Sequence, residues 1–501
     1  MVKLKRIKIS SGVDKSQLLG NTLDGYMPDC IYNNLVCGEF NDYAPPQYNL
    51  EKLSGILPTQ TKSYQLEDLS KSLLMDNVFN INKPGYGKTF ETIMWIKLVL
   101  KKDFKALILC PKSVIETWMY QLKRWWPDYA ECGSWWITNY EQLYNKQRLH
   151  TAQLNEWDVI VLDESHKIKS MKSKVTQAVF TLKSKHRHCL TGTPIKNRPE
   201  DLAAQLKWLD PYSITCYTDF CLAFCHMMRT PYGTAPKGLT HDKKMIVLLQ
   251  RLLDMYCIGG KEHNIGLNEQ PEYIKVKLKM DKTVAQLYKK TLGEYDEELQ
   301  TRVVDTPYLL SKGIKVQNPI EQTMRLQQLA TCPQIFNKYV DSKYENIKFS
   351  WILDWLNGTD EKVIIISKFA EAIKYLDEYL CKNGRSDHKV IEQRMSSSER
   401  NGAVNYWKKN CQALLGTFGL LGTGVDGLQE NCHYMIFLDR AWTASDNEQC
   451  EKRIWRTGQL KKPFFYILQC QGTIDVRIEA MQKSKAIDAK ALLQPGDDYD
   501  L

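Results

Sequence analysis

The stretch NVFNINKPGYGKT at residues 77–89 decides the fold, because it joins a short apolar strand to a helix through a loop with two glycines. Gly85 and Gly87 let backbone N–H groups close around a phosphate, and the N-terminus of the helix favours negative charge. Lys88 is placed to reach the β- and γ-phosphates of a nucleotide, and Thr89 to bind Mg²⁺. The stretch therefore predicts a phosphate loop at the edge of a parallel sheet.

A second motif, DVIVLDESH at residues 158–166, is a buried strand that ends in two acids. A carboxylate at the C-terminal end of a parallel strand lies beside the phosphate loop. We expect Asp163 to hold Mg²⁺ through water and Glu164 to orient and deprotonate the attacking water. Each motif alone has another explanation. The first also fits a glycine turn before an ordinary helix, since the strict loop has glycine or alanine where Asn82 stands, and the acids of the second also fit a cap of the next helix. Together, on consecutive strands of one sheet, they predict hydrolysis of a phosphoanhydride.

Short apolar strands alternate with longer amphipathic segments in two separate series. The first series continues with KALILCP, WDVIVLDE and HCLTGTP, and the second includes KVIIIS, ALLGTF, YMIFLD and PFFYILQ. Buried parallel strands have such apolar runs, and the crossovers between them need helices. A mostly helical stretch, from about residue 211 to 361, separates the series. The sequence therefore predicts an α/β fold of two parallel-sheet lobes in tandem, with helical protrusions inserted between them.

The composition is that of an ordinary soluble protein, since 43% of the 501 residues are hydrophobic and 25% are charged. No apolar run approaches the roughly 18 residues of a membrane span, and no secretory signal follows the basic N-terminus. Fifteen scattered cysteines favour reduced thiols and a cytoplasmic protein. The net charge of +10 permits a polyanionic partner without establishing one. The densest basic patch fits a phosphate contact or a solvated face, and comprises Lys167, Lys169, Lys172 and Lys174.

The order of the motifs resembles the SWI/SNF family of superfamily-two ATPases, the motors of chromatin remodellers and related DNA translocases. Tyr64-Gln65 resembles the glutamine motif that this family uses for adenine, and LILCPKSVIETWMYQLKRW, with Trp118, resembles its next motif. DESHKIKS resembles the DExH box, and LTGTPIKNRPEDL the Thr-Gly-Thr-Pro motif. LLGTFGLLGTGVDGLQE, DRAWTASDNEQCEKRIWRTGQ and QGTIDVRI resemble the motifs of the second half. The resemblance spans about residues 58–485.

Two arginines in the second half, Arg453 and Arg456, precede Gly458-Gln459, where many RNA helicases continue to another Gly-Arg. By the resemblance they are arginine fingers that reach the γ-phosphate when the two lobes close. A guanidinium fork neutralises charge in the transition state, an effect worth roughly 10³–10⁵ in rate. Surface arginines on a helix are the alternative interpretation.

The resemblance implies RecA-like lobes, the cofactors ATP and Mg²⁺, and roles for individual residues. The implied catalytic residues are Lys88, Glu164, Arg453 and Arg456, and the implied metal ligands are Thr89 and Asp163. The implied nucleotide-binding residues are Gln65, Gly85, Tyr86, Gly87, Lys88, Thr89, Asp163, Gly424, Asp426 and Gln449. The implied DNA contacts are Lys112, Thr191, Lys196, Thr417 and Trp442, although a tryptophan such as Trp442 fits a core position equally well.

Four segments follow from this assignment: residues 1–50 of unknown role, 51–262 as the first lobe with the phosphate loop and DExH box, 263–361 as a helical insertion and hinge region, and 362–501 as the second lobe with the arginine fingers. Some positions depart from the family pattern but leave the phosphate chemistry intact. They are Lys83, Pro84, Asp426, Thr443, Ala444 and Trp455.

The most specific function that these motifs predict is ATP-dependent translocation on double-stranded DNA, with remodelling or displacement of bound proteins or DNA junctions. A strand-separating DNA or RNA helicase is the first alternative. A non-motor, ATP-gated binding module is the second, and the presence of Glu164 and both arginines argues against it. We expect a monomer with duplex DNA and a displaced DNA-bound protein as partners, and no membrane. The compact chain favours a stand-alone phage or bacterial member over a subunit of a nuclear remodeller.

Overall fold

A computed structural model describes residues 6–8, 26–28, 50–195, 198–230, 233–260, 270–296, 319–336, 345–422, 427–456 and 458–479. Apart from a short antiparallel pair, β1 (Arg6–Lys8) with β2 (Tyr26–Pro28), the described residues form two compact units. The first holds the described residues up to 260 and the second those from 270 onward. Each contains its own six-stranded sheet, and all pairs in both sheets are parallel.

The first unit has the strand order β10-β3-β7-β6-β4-β5. Alternate residues of its central strands point to opposite faces, so that Leu107 and Leu109 join one hydrophobic cluster while Ala106 and Ile108 join another. Helices cover both faces, which is why these strands are apolar throughout. The strands are β3 (Asn77–Asn80), β4 (Phe104–Cys110), β5 (Gly133–Asn139), β6 (Glu156–Asp163), β7 (Lys183–Leu190) and β10 (Cys257–Ile258), with an antiparallel hairpin of β8 (Cys225–Thr230) and β9 (Gly233–Leu239) before β10.

The second unit has the strand order β11-β16-β15-β12-β14-β13. Ile364 and Ile366 of its central strand point to one hydrophobic cluster, and Val363 and Ile365 to the other. The sheet is therefore also buried on both faces. Its strands are β11 (Glu272–Leu278), β12 (Val363–Ser367), β13 (His388–Val390), β14 (Ala413–Thr417), β15 (Tyr434–Phe437) and β16 (Phe464–Cys470).

The predicted fold class, two parallel-sheet α/β lobes in tandem, is confirmed, but the stretch between the two series is not wholly helical. Strand β11 lies in segment 263–361 and pairs along its whole length with β16. From Ile274 to Leu278 its sequence, IKVKL, alternates apolar and charged residues, because the lysines lie on an exposed face and the apolar residues on the less exposed one. It is also an edge strand of the sheet. Strand β11 therefore lacks the continuous apolar run that identifies the buried strands of both sheets. Helices lie within both units, between β7 and β10 and again between β11 and β12.

No helix among the described residues is long and apolar enough to cross a membrane. The helices of the first unit are Leu50–Ser54, Ser63–Ser72, Lys88–Val99, Ile115–Trp125, Tyr129–Cys132, Lys146–Leu154, Lys174–Phe180, Asp201–Leu209, Tyr217–Phe224 and Lys243–Asp254. Those of the second unit are Lys282–Asp296, Pro319–Thr331, Ile347–Asn357, Ala370–Lys382, Ser397–Asn410, Phe418–Leu421 and Ala444–Glu451.

A buried ion pair ties the second sheet to one of its helices. The side chain of Lys348 is 0% exposed, and its Nζ donates to Asp475 Oδ2 at 2.9 Å and to the carbonyl oxygen of Leu438 at 2.6 Å. Burial, the largest single effect, lowers the pKa of Lys348, but the charges of Asp475, Cys470 and Asp439 and the hydrogen bond to Asp475 together outweigh it, so the pKa is raised. The lysine therefore remains charged in the core.

We predict that Lys348→Ala destabilises the second unit by about 3–5 kcal/mol, because it leaves the Asp475 carboxylate buried and unpaired. Lys374→Ala is the matched control, since Lys374 is 75% exposed and pairs with Glu378 on a helix surface. Removing such a surface pair costs at most about 1 kcal/mol. The urea midpoint of unfolding, monitored by tryptophan fluorescence, is measured for both variants. Equal midpoints for the two would contradict the prediction.

Candidate nucleotide-binding site

The phosphate loop connects β3 to the helix Lys88–Val99 through two left-handed glycines, with φ of 89° at Gly85 and 97° at Gly87. These angles are unfavourable for any residue with a side chain. Space is a second constraint at Gly87, because a Cβ there would lie 2.3 Å from Nε2 of Gln65. Glycine is therefore required at Gly87 by conformation and by packing.

Gln65 and its neighbour Tyr64 hold the backbone of this loop. Gln65 Nε2 and Tyr64 Oη each donate to the carbonyl oxygen of Tyr86, both at 3.0 Å. The carboxamide oxygen of Gln65 accepts from the backbone N–H of Lys62 at 3.1 Å. The glutamine predicted for adenine thus lies against the phosphate loop, and its contact with adenine remains a prediction.

The carboxylate of Asp163 is buried at the C-terminal end of β6. Trp118 Nε1 donates to its Oδ2 at 2.8 Å, and the backbone N–H of Glu164 donates to its Oδ1 at 3.0 Å. Burial, and then the charge of Glu164, raise the pKa of Asp163 to about 6, while the Trp118 bond and the charge of Lys88 oppose the rise. The charge of Lys88, from the phosphate-loop motif, therefore acts on Asp163 of the acidic motif within the first unit. Trp118 belongs to the sequence motif LILCPKSVIETWMYQLKRW, but its hydrogen bond to Asp163 was not predicted.

Glu164 has a left-handed backbone, with φ 54° and ψ 53°, which is unusual for a residue with a side chain. Its Oε2 lies 3.2 Å from His166 Nδ1 and accepts from Thr191 Oγ1 at 3.4 Å. The proposed base is therefore oriented by two neighbours. The sequence motif contains His166, yet no role was predicted for it. Thr191, predicted as a DNA contact, is fully buried in this structure, and that contact remains a prediction.

The sequence predicted that the two motifs lie on consecutive strands of the sheet. That prediction is wrong, because β7 lies between β3 and β6. The turn that follows β7 consequently lies beside both motifs. A Cβ on Gly192 in this turn would lie 2.5 Å from Cδ of Pro84 in the phosphate loop. The Thr-Gly-Thr-Pro segment thus contacts the phosphate loop through Gly192 and the acidic motif through Thr191.

The arginines and the tryptophan predicted in the second unit have neighbours within that unit. Arg453 donates from Nε to the carbonyl oxygen of Gly422 at 3.1 Å, and both Arg453 and Arg456 are partly exposed. Trp442 Nε1 donates to Gln327 Oε1 at 2.7 Å, and its half-buried ring packs against a hydrophobic cluster.

The other predicted residues are scattered over both units or lie outside the described residues. Thr417 ends β14, Gln449 lies on the helix Ala444–Glu451, and Lys112 is exposed in the turn after β4. Lys196, Gly424 and Asp426 lie outside the described residues. The structure thus brings together the predicted phosphate and metal residues of the first unit, and their roles remain predictions.

Two parallel-sheet lobes, with a phosphate loop after one strand and paired acids after another, define the class of helicase-like, phosphate-loop proteins. The SNF2-related domain matches residues 74–134 and 127–335, and the helicase conserved C-terminal domain matches residues 347–458. The chain belongs to the SNF2-related family.

Curated relatives share this similarity over most of the chain. The chain is 23% identical over 480 residues to SWI/SNF-related matrix-associated actin-dependent regulator of chromatin subfamily A member 1 of Mus musculus, covering 87% of this chain and 44% of that protein. It is 22% identical over 422 residues to the DNA annealing helicase and endonuclease ZRANB3 of Homo sapiens, covering 80% of this chain and 37% of that protein. The chain therefore spans less than half the length of both relatives.

A solved structure, the Sulfolobus solfataricus SWI2/SNF2 ATPase core in complex with double-stranded DNA, aligns with 90% of this chain and 96% of that chain. Its sequence identity is 21% and its TM-score is 0.38.

We predict that Glu164→Gln still binds ATP but hydrolyses it about 10²–10⁴-fold more slowly, because the water loses its base while Asp163 keeps its position. Glu116→Gln, an exposed glutamate on the helix Ile115–Trp125, is the control and should keep wild-type turnover. Steady-state ATPase rates and binding of a fluorescent ATP analogue measure the two properties. Turnover of Glu164→Gln within about tenfold of wild type would place the base elsewhere.

Proposed function

We propose that this chain is an ATP hydrolase that uses the free energy of hydrolysis to translocate on double-stranded DNA, and that it remodels or displaces bound proteins or DNA junctions. The observation that carries the proposal is the convergence, in the first unit, of the phosphate loop, the buried Asp163 and the doubly contacted Glu164. Binding of phosphate, coordination of a metal ion and activation of water all need polar groups at the carboxyl ends of parallel strands.

Each group in the first unit fits a step of hydrolysis. The backbone of the glycine loop and Lys88 bind the triphosphate, and Glu164 orients the attacking water. The hydroxyl of Thr89 and the carboxylate of Asp163 are hard oxygen donors of the kind that Mg²⁺ prefers. When bound there, Mg²⁺ neutralises charge on the phosphates. The second unit supplies Arg453 and Arg456, which stabilise the transition state when the lobes close.

Motion follows if nucleotide binding favours one arrangement of the lobes and hydrolysis removes that preference. Lobes that grip phosphates alternately then advance along one strand. Contacts to phosphates carry little sequence information, so we expect weak base specificity and strong salt dependence. The names of the relatives, a regulator of chromatin and a DNA annealing helicase, support DNA as the track. We also propose that the protein acts as a monomer in the cytoplasm.

The test compares ATPase stimulation by duplex DNA, single-stranded DNA and RNA, followed by displacement of a triplex-forming strand from duplex DNA. We expect the strongest stimulation by duplex DNA and ATP-dependent triplex displacement, with Glu164→Gln inactive in both. Preferential stimulation by single strands or RNA with strand separation would favour the helicase alternative. ATP binding without any nucleic-acid-stimulated turnover would favour a binding module and overturn the proposal.

We further predict that Arg456→Ala loses orders of magnitude of DNA-stimulated turnover but much less nucleotide affinity, because its contact is strongest in the transition state. Arg394→Ala is the control in the same unit, since Arg394 is 85% exposed and pairs with Glu392. Melting temperatures separate this role from a structural one. A stable Arg456→Ala protein with normal DNA stimulation would disprove the role.

A further inference from the structure

We propose that Asp68, Asn82 and Glu91 form a positioning site, here called the amide clamp, which fixes the phosphate loop for nucleotide binding and ties it to Gly259. The proposal rests on the proposed ATP hydrolysis and adds three residues that act through Lys88. Asn82 is the position where the strict loop motif has a small residue, so the clamp occupies a departure from that motif.

The buried side-chain amide of Asn82 lies between the carboxyl groups of Asp68 and Glu91. Asn82 is 0% exposed, and its Nδ2 donates to Asp68 Oδ2 at 2.7 Å and to Glu91 Oε2 at 3.2 Å. Glu91 is also buried and accepts from Asn80 Nδ2 at 2.6 Å. Because Asp68 Oδ2 and Glu91 Oε2 are both acceptors, the amide nitrogen of Asn82 faces them and its oxygen points away.

The same clamp contacts the end of the first sheet. Asp68 Oδ1 accepts from the backbone N–H of Gly259 at 3.0 Å, directly after β10. Gly259 has φ of 81°, and a Cβ there would lie 2.2 Å from Asn82 Oδ1. Among the described residues this oxygen has no hydrogen-bond partner. The clamp therefore depends on glycine at 259, and it links the phosphate loop to the residues through which the chain leaves the first unit.

The clamp controls the position of Lys88 through the backbone. The carbonyl oxygen of Asn82 accepts from Lys88 Nζ at 2.8 Å, while the backbone N–H of Asn82 donates to Asn80 Oδ1 at 3.1 Å. Fixing the side chain of Asn82 thus fixes the carbonyl that holds the ammonium group. Asp68, Asn82 and Glu91 are positioning residues, because none of them carries out a step of hydrolysis.

The decisive variant is Asn82→Asp, which preserves shape but replaces the amide that donates to Asp68 with a third carboxyl group between Asp68 and Glu91. We expect it to raise the Kd of a fluorescent ATP analogue and the KM for ATP by about tenfold or more, the loss expected for a charge-assisted hydrogen bond. The kcat should change less than KM, because the loop positions the phosphates of the bound ground state. Asn145→Asp is the control, since an aspartate serves equally well at that exposed helix N-cap.

The triple variant Asp68→Asn, Asn82→Asp, Glu91→Gln should restore Kd and KM towards wild type. It reverses the donor and acceptor in the two contacts of residue 82, so that amides at 68 and 91 donate to a carboxylate at 82. The oxygens of those amides still accept from Gly259 and Asn80. A residue that only stabilises the core would not regain nucleotide affinity in this way. Melting temperatures of all variants identify any loss of folding.

Gly259→Ala tests the link to β10, and we expect it to raise Kd and KM as Asn82→Asp does. Gly384→Ala is its control, because Gly384 has φ of 78° but open space around a Cβ. Wild-type nucleotide affinity in Asn82→Asp, or failure of the triple variant to recover it, would overturn the clamp. A wild-type protein that binds nucleotide without hydrolysing it would contradict the proposed function instead, since the binding measurements still test the clamp.

Discussion

Parallel pairing of β3, β7 and β6 is the constraint on which the site depends. Parallel strands end at the same edge, so the three segments that follow them must share that edge. Because β7 is the middle strand, its turn lies between the phosphate loop and the acidic motif. The close approach of Gly192 to Pro84 and the bond from Thr191 to Glu164 both follow from this order. The turn is thus placed to respond to changes at either motif.

Burial gives the polar groups at this edge their properties. Asp163 loses most of its water, and Trp118 and the backbone of Glu164 replace part of that hydration with hydrogen bonds of fixed direction. Glu91 and Asn82 are desolvated behind the loop in the same way. Buried polar groups of this kind are costly unless they are satisfied, so their partners are restricted to few residue types. Their hydrogen bonds therefore fix the orientation of the side chains where phosphate and metal would bind.

Much of this could be predicted from the sequence, because continuous apolar runs such as those of β4 and β12 identify buried parallel strands. The glycine loop and the acidic motif were likewise predicted to follow strands of the first sheet, as they do after β3 and β6. Strand β11 was missed because an edge strand needs only one apolar face, and β10 because it has two residues. The contacts of Trp118, His166 and Asn82 were not predictable, since they join residues whose proximity depends on the order of the strands.

Strand β11 has a consequence for the order in which the two units form during synthesis. The sheet of the first unit is complete once β10 has emerged, and its pairs join strands from one continuous part of the chain. The second sheet includes the pairing of residue 272 with residue 464, so its edge must wait for nearly the whole chain. Closing so long a loop is entropically unfavourable until the intervening strands have assembled. On the ribosome the first unit can therefore fold while β11 remains an unpaired strand, exposed to chaperones and to other nascent chains.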